Sequence, residues 1–264
     1  MNCPDFLSQI TPVIATYNEA PNIERTLDAL TWAKRIVIID SYSDDETLDI
    51  VARYPACVIY QRTFDTFAGQ WAWALENCNL SSGWVLALDA DFVLTPEHVT
   101  DMAGLTPSDN TNGYVANFRY CINGKPLRSG IYPPRITLFR PEHGRFWQDG
   151  HAHRLKVDGD IGQIAAPIMH DDRKSLRRWL SSQQGYAVRE ADKLLHNDGT
   201  VSNFAYRVRK LRVVAPFVVI AHCLLFRGGI LEGKAGWFYA LQRGYAELLL
   251  SLELLDRDIN GRNK

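Results

Sequence analysis

Hydrophobic and polar positions along residues 10–100 alternate between two rhythms. Pro12-Val13-Ile14-Ala15 is a short apolar run that breaks into the polar turn Thr16-Tyr17-Asn18-Glu19, and Ile23, Leu27 and Leu30 then recur at helical spacing. A second apolar run, Arg35 to Asp40, stops on an acid. Ser41-Tyr42-Ser43-Asp44-Asp45 follows with turn and cap residues for a helix through Ile50 and Val51. Val58-Ile59-Tyr60 reads as a third strand, Phe67 to Asn77 as a third helix, and Gly83 to Leu88 as a fourth strand. This alternation predicts an α/β fold: a Rossmann-like, mostly parallel sheet flanked by helices and joined by right-handed crossovers.

Ligands of such sheets bind beyond the carboxyl ends of the strands. Three predicted strand ends carry polar residues here: Thr16 to Glu19, Asp40, and Asp89-Ala90-Asp91. Two carboxylates spaced two apart suit Mg²⁺ or Mn²⁺ held against phosphate. Asp40 has a second reading, as the N-cap of the helix after it.

The 264 residues are 46% hydrophobic, enough for a substantial core, and predict one domain over residues 1–200 with an appendage over residues 201–264. The cysteines (Cys3, Cys57, Cys78, Cys121 and Cys223) are scattered, which argues against a disulfide framework or zinc site and for a reducing compartment. No basic segment followed by an apolar one is read near Met1, so the expected location is cytoplasmic.

A formal net charge of −1 conceals an asymmetry. Residues 1–172 hold 13 Lys and Arg against 22 Asp and Glu, whereas residues 173–243 hold 13 against 4. The basic stretch includes Arg207, Arg209, Lys210 and Arg212, with Trp179, Phe204, Tyr206 and Trp237 interleaved, and the apolar run Val213 to Phe226 follows Arg212. That run is too short to span a bilayer. Its basic and aromatic flanks suit a helix lying on an anionic membrane face, and a buried helix of a small C-terminal bundle is the alternative. No motif supports nucleic-acid binding.

In the middle of the chain, Tyr114 to Tyr120 and Ile136 to Arg140 predict strands joined by an Asn123-Gly124 turn. Within Phe146 to Leu155, Asp149, His151 and His153 can each accept a proton, and a carboxylate beside apolar Trp147 is expected to have a raised pKa. The alternative is that Asp149 caps a turn and the histidines bind an acceptor or are merely exposed.

Thr16-Tyr17-Asn18-Glu19, Ile38-Ile39-Asp40-Ser41-Tyr42-Ser43-Asp44-Asp45 and Leu88-Asp89-Ala90-Asp91, in that order and spacing, resemble glycosyltransferase family 2, whose fold is GT-A. Within the family the chain looks most like bacterial transferases of the lipopolysaccharide core and related glycolipids. The resemblance implies a nucleotide sugar, a UDP-sugar by preference, held by Thr16, Tyr17, Asn18 and Glu19, with Asp40 on the base or ribose. It implies that Asp91 ligates a divalent metal, Mn²⁺ or Mg²⁺, that Asp89 faces the ribose or the metal's waters, and that His170 completes the metal site. Many family members carry a His-Glu pair whose Glu is the base. Here Glu is absent, and keeping Arg154-Leu155 in register puts His153 in its place, so Asp149, His151 and His153 share the candidacy. Family members often have Lys-Asn where Trp71-Ala72 stand, which leaves Gln70 as a donor contact and Trp71 and Trp73 as core residues.

The expected activity is metal-dependent, inverting transfer to a glycolipid or lipid-linked saccharide by a protein peripheral to the inner membrane. Two rival readings stand beside it. A nucleotidyltransferase would carry a glycine-rich phosphate loop near the first strand, which Thr16-Tyr17-Asn18-Glu19 is not. A non-catalytic sugar-nucleotide or membrane-binding relative is made thinkable by the missing Glu.

Overall fold

The computed structural model describes residues 6–80, 83–149, 152–195 and 204–261. The chain divides into two compact units. One takes the chain up to Gly124, with Tyr132–Gln148 and Ala152–Arg173; the other takes Lys125–Ile131, Asp149–His151 and Lys174 onward. The last crossing between them follows Arg173.

The strands are β1 (Ile10–Thr16), β2 (Ile36–Asp40), β3 (Cys57–Gln61), β4 (Trp84–Asp89), β5 (Phe92–Leu94), β6 (Thr111–Ile122), β7 (Lys125–Pro126), β8 (Arg135–Phe139), β9 (Gly144–Asp149), β10 (Ala152–Val157) and β11 (Asp160–His170). The helices are α1 (Ile23–Asp28), α2 (Thr47–Val51), α3 (Phe67–Asn77), α4 (Pro96–Ala103), α5 (Leu176–Leu195), α6 (Phe204–Lys210), α7 (Ala215–Ala221) and α8 (Lys234–Ile259). The main sheet runs β3-β2-β1-β4-β8-β6-β11-β5, and β9 pairs with β10. Strands β3, β2, β1 and β4 are parallel, as are β6 and β11, while β8 runs antiparallel to both its neighbours and β5 antiparallel to β11. The fold is therefore the α/β, GT-A-like sheet expected from the sequence, with helical structure toward the C-terminus.

Apolar residues fill both strand faces because helices cover both. Ile14, Ile38 and Leu88 pack on one side with Ile23, Leu27 and Leu30; Val13, Val37 and Ile39 pack on the other with Trp71 and Ala74. The parallel register then sets the rim, with Thr16 beside Asp40 and Ala15 beside Asp89. On the far side, the register of β11 against β6 slips between Ile164 and Ile168, around Pro167, which has no N–H to give a ladder. Past the slip, His170 lies between Tyr120 of β6 and Phe92 of β5.

One turn differs from expectation. Asn123 and Gly124 have φ of 48° and 79°, as a two-residue hairpin turn requires. They lead into β7, however, and β8 starts only at Arg135, because the intervening chain buries Leu127 and Ser129.

In the second unit, Ala191 of α5 packs against Leu250 and Leu254 of α8. Helix α7 lies close along α8, where a Cβ at Gly244 would collide with Ile220. The apolar run 213–226 is two-faced: Ala215, Pro216, Cys223 and Leu224 are buried, while Phe217, Leu225 and Phe226 are exposed. The basic stretch, read as a flank facing an anionic membrane, is partly taken up by acids of its own unit. Arg209 donates to Glu247 at 2.9 Å and to Glu190 at 3.1 Å, and Arg212 donates to Asp258 at 2.8 Å.

Candidate active site

The rim begins where β1 and β2 end. Asp40 is fully buried, and four donors fill its lone pairs. The Thr16 hydroxyl donates at 3.1 Å, the Ser43 amide at 2.9 Å, the Ser43 hydroxyl at 2.5 Å and the Gln61 amide at 3.3 Å. Thr16 and Asp40 are thus together, and Asp40 ties its own loop down. Asn18 Nδ2 donates to Asp44 at 2.6 Å while the Asp44 amide donates back to Asn18 at 2.8 Å. The Glu19 amide donates to Thr47 at 2.7 Å. Gln70 is buried between Ser41 and Arg62, donating to the first at 3.0 Å and accepting from the second at 2.7 Å.

This bonding fixes an unusual backbone. Asn18 and Tyr42 have φ of 55° and 60°, a region asparagine tolerates and tyrosine rarely enters. The rings of Tyr17 and Tyr42 are left exposed on the rim.

At the end of β4, Asp89 is partly exposed, with Arg135 Nη1 at 3.9 Å. Asp91 is buried, and its Oδ2 lies 3.1 Å from His170 Nε2. Ring edges of Tyr132, Tyr120 and Phe92 box the imidazole at centroid distances of 4.6, 4.9 and 5.3 Å, and its Nδ1 is buried without a hydrogen-bond partner. Burial opposes protonation of His170, but the charge and hydrogen bond of Asp91, with Asp89 and Asp172 behind it, outweigh burial and raise its pKa. Burial likewise pushes the Tyr132 hydroxyl well up, while Arg135 stacks over that ring at 4.9 Å. Past Leu86 and Leu138, β4 and β8 stop pairing. A pocket of about 200 Å³ opens there, lined by Asp89, Arg135, Thr137, Trp71, Phe146 and Arg154 among others.

Sequence reasoning missed the residues that hold this rim together. Asn22 Nδ2 donates to Glu19 at 2.8 Å and to Asp172 at 2.9 Å, while its Oδ1 accepts from the Arg173 amide at 2.9 Å and from Arg25 at 3.1 Å. Arg25 also donates to the Asp171 carbonyl at 2.7 Å, and Asp171 Oδ1 accepts from the Gly124 amide at 2.8 Å. The segment after His170 is thereby fastened to the β1–α1 loop. No local pattern marks Asn22, whose partners Asp172 and Arg173 stand 150 and 151 positions away.

The three candidate bases fare differently. Asp149 ends β9 and pairs with Lys193 at 2.6 Å. Trp147, two residues before Asp149, is 48% exposed. His153 stands on β10, and His151 lies outside the described residues.

Residues 11–214 match the family described as Glycosyl transferase family 2. The chain belongs to this family. As a family 2 glycosyltransferase it has curated relatives of the same type. An uncharacterized glycosyltransferase of Rickettsia bellii (strain RML369-C) is 29% identical over 109 residues, covering 41% of this chain but only 36% of that protein. The lipopolysaccharide core biosynthesis glycosyltransferase LpsC of Rhizobium meliloti (strain 1021) is 24% identical over 261 residues, covering 94% of this chain and 92% of LpsC. Among solved structures, S. aureus TarS 1-349 in complex with UDP-GlcNAc aligns over 96% of this chain and 92% of its own, at 15% identity and a TM-score of 0.46, too loose a likeness to argue from. Among the described residues of this glycosyltransferase, no helix is long and apolar enough to cross a membrane, and no cluster of three His, Cys, Asp or Glu closes around an ion.

Proposed function

We propose that this glycosyltransferase moves a sugar, with inversion, from a nucleotide sugar, by preference a UDP-sugar, to a glycolipid or lipid-linked saccharide at the cytoplasmic face of the inner membrane. The observation that carries the reading is the Asp91–His170 pair, 3.1 Å apart beside Asp89 and Arg135, at the carboxyl rim of a family 2 sheet. The near full-length similarity to LpsC supports a lipopolysaccharide-type acceptor.

The residues present fit a divalent ion. A carboxylate oxygen and an imidazole nitrogen at this separation suit the bite of one cation, with remaining positions left for diphosphate and water. A mixed oxygen and nitrogen donor set favours Mn²⁺ over Mg²⁺. Bound there, the ion would act as a Lewis acid on the negative charge of the departing diphosphate.

The rest falls to the chain. The closed Thr16–Asp40–Ser43 and Asn18–Asp44 networks hold the nucleotide-side loops in one conformation before donor arrives, so little ordering is left for binding. Asp40 serves that loop and reaches the donor through it, and Gln70 does likewise from α3. Exposed Tyr17 and Tyr42 offer flat faces to a base. Asp89 and Arg135 line the pocket and would orient the sugar there. In the transfer, the bond from the anomeric carbon to the acceptor oxygen forms as the bond to phosphate breaks, and the acceptor's proton passes to the base, Asp149 or His153. Lys193 stands 2.6 Å from Asp149 and positions that carboxylate.

The test is release of nucleoside diphosphate from a panel of nucleotide sugars with Mn²⁺, with and without a lipopolysaccharide-core acceptor. Release that needs both metal and Asp91 supports the reading, and binding without any turnover favours the non-catalytic alternative.

A further inference from the structure

Large apolar side chains are not left in water evenly along this chain. In the second unit, Phe217 is 70%, Leu225 67%, Phe226 82% and Leu231 89% exposed. The last three sit at the tip of a helical hairpin, where the π-helical segment His222–Phe226 and the 3₁₀ turn Gly229–Glu232 connect α7 to α8. Apolar area of this kind on a protein surface marks a contact.

The tip has a fixed shape. The π segment turns Cys223 and Leu224 inward and Leu225 and Phe226 outward. Gly228 and Gly233 supply φ of 72° and 63°, and a Cβ at Gly236 would collide with the Gly229 carbonyl. Glu232 clamps the base of the turn, accepting from the Arg128 amide at 2.6 Å, the Ser129 amide at 3.2 Å and the Ser129 hydroxyl.

Charge around the tip has one sign. Lys125, Arg128, Arg227 and Lys234 adjoin it: Lys125 donates to the Glu232 carbonyl at 3.2 Å and Arg227 to the Gly130 carbonyl at 3.2 Å. The one acid in residues 125–131 and 217–241 is Glu232, and its carboxylate is taken up by the turn. Protruding apolar side chains beside unopposed cations match an interface of anionic headgroups over acyl chains.

We propose that this hairpin tip inserts Leu225, Phe226, Ile230 and Leu231 into one leaflet of an anionic phospholipid bilayer, with Lys125, Arg128, Arg227 and Lys234 at headgroup level. The proposal deepens the lipid-acceptor reading by naming the element that meets the membrane. It also moves the contact away from Arg209 and Arg212, which are spent on Glu247, Glu190 and Asp258.

Flotation of the full-length chain with phosphatidylcholine vesicles, with and without phosphatidylglycerol, tests it without donor or acceptor. Wild type should float with the anionic vesicles, more strongly at low salt, and keep a salt-resistant fraction. Phe226→Ser with Leu231→Ser should weaken binding at least about tenfold at all salt concentrations. Arg227→Gln and Lys234→Gln should each weaken it about fivefold, at low salt only. Arg209→Gln with Arg212→Gln should lower the melting temperature and leave vesicle binding by the folded fraction unchanged. Metal-dependent hydrolysis of a nucleotide sugar in detergent-free solution should be the same in the tip variant and wild type, so loss of the catalytic reading would show there and not in flotation. Wild type that stays off anionic vesicles, a tip variant that floats normally, or a salt-independent dimer through the exposed Trp237–Leu241 face of α8 in place of vesicle binding would each overturn the proposal.

Discussion

Asn22→Ala is the perturbation that most directly joins fold to site. Asn22 is 1% exposed, and each of its four hydrogen bonds lies between 2.8 and 3.1 Å. Two go to the carboxylates of Glu19 and Asp172, and hydrogen bonds to charged groups contribute about 1.5–3 kcal/mol each. Alanine also removes the bond to the Arg173 amide, a net loss of about 1 kcal/mol. A loss of about 4 kcal/mol follows, or roughly 8–16 °C in melting temperature for a unit of this size. Because the same bonds hold the chain just beyond His170, Mn²⁺ should stabilise the variant less than wild type at equal metal concentration. Differential scanning calorimetry with a Mn²⁺ titration measures both effects. A melting temperature within about 3 °C of wild type, with an unchanged Mn²⁺ increment, would show that Asn22 does not hold this rim.

Three further outcomes are expected. Asp149→Asn should abolish transfer while leaving donor affinity nearly intact, because a base acts in the transition state; an active Asp149→Asn beside a dead His153→Ala in the same transfer assay assigns the base to His153. Arg209→Met should destabilise the helical unit by about 3–5 kcal/mol in urea unfolding, since it leaves Glu247 buried and unpaired, and Arg209→Met with Glu247→Leu should recover most of that loss. Burial raises the Glu232 pKa, but the Ser129 hydroxyl and the Arg128 and Ser129 amides outweigh it and hold the folded value below 4.5. Its stabilisation is therefore present above the unfolded carboxylate pKa and fades as pH falls through the lower folded one, and Glu232→Gln should remove that part of an acid-unfolding curve followed by circular dichroism.

Much of the sheet could be read from the sequence because its parallel half is built from local units. Each strand from β1 to β4 is a short apolar run, and α3 was expected at the residues where it forms, Phe67–Asn77. Asp89 and Asp91 were visible because acids end an apolar strand. The pairing of Asp91 with His170 depends on β11 lying beside β5 and β6, a contact across 79 positions that hydrophobic periodicity does not encode. Asn22 escaped notice for a related reason. Beside a turn and a helix start it reads as an ordinary cap, yet no cap hydrogen bond forms and its side chain bridges to the far end of the sheet instead. Arg209 and Arg212 were expected to face a membrane because composition records charge and not the direction a side chain takes, and their acidic partners arrive on α5 and α8.

On the proposed reading, Asp91 and His170 hold a divalent ion against the diphosphate of a nucleotide sugar. Isothermal titration of UDP into the full-length chain, with Mn²⁺ and then with chelator, run in parallel on Asp91→Asn, tests it most directly. Binding is expected in wild type with Mn²⁺, with its loss on chelation and its loss in Asp91→Asn at an unchanged circular-dichroism spectrum. Equal UDP affinity in wild type and Asp91→Asn, indifferent to chelator, would contradict it.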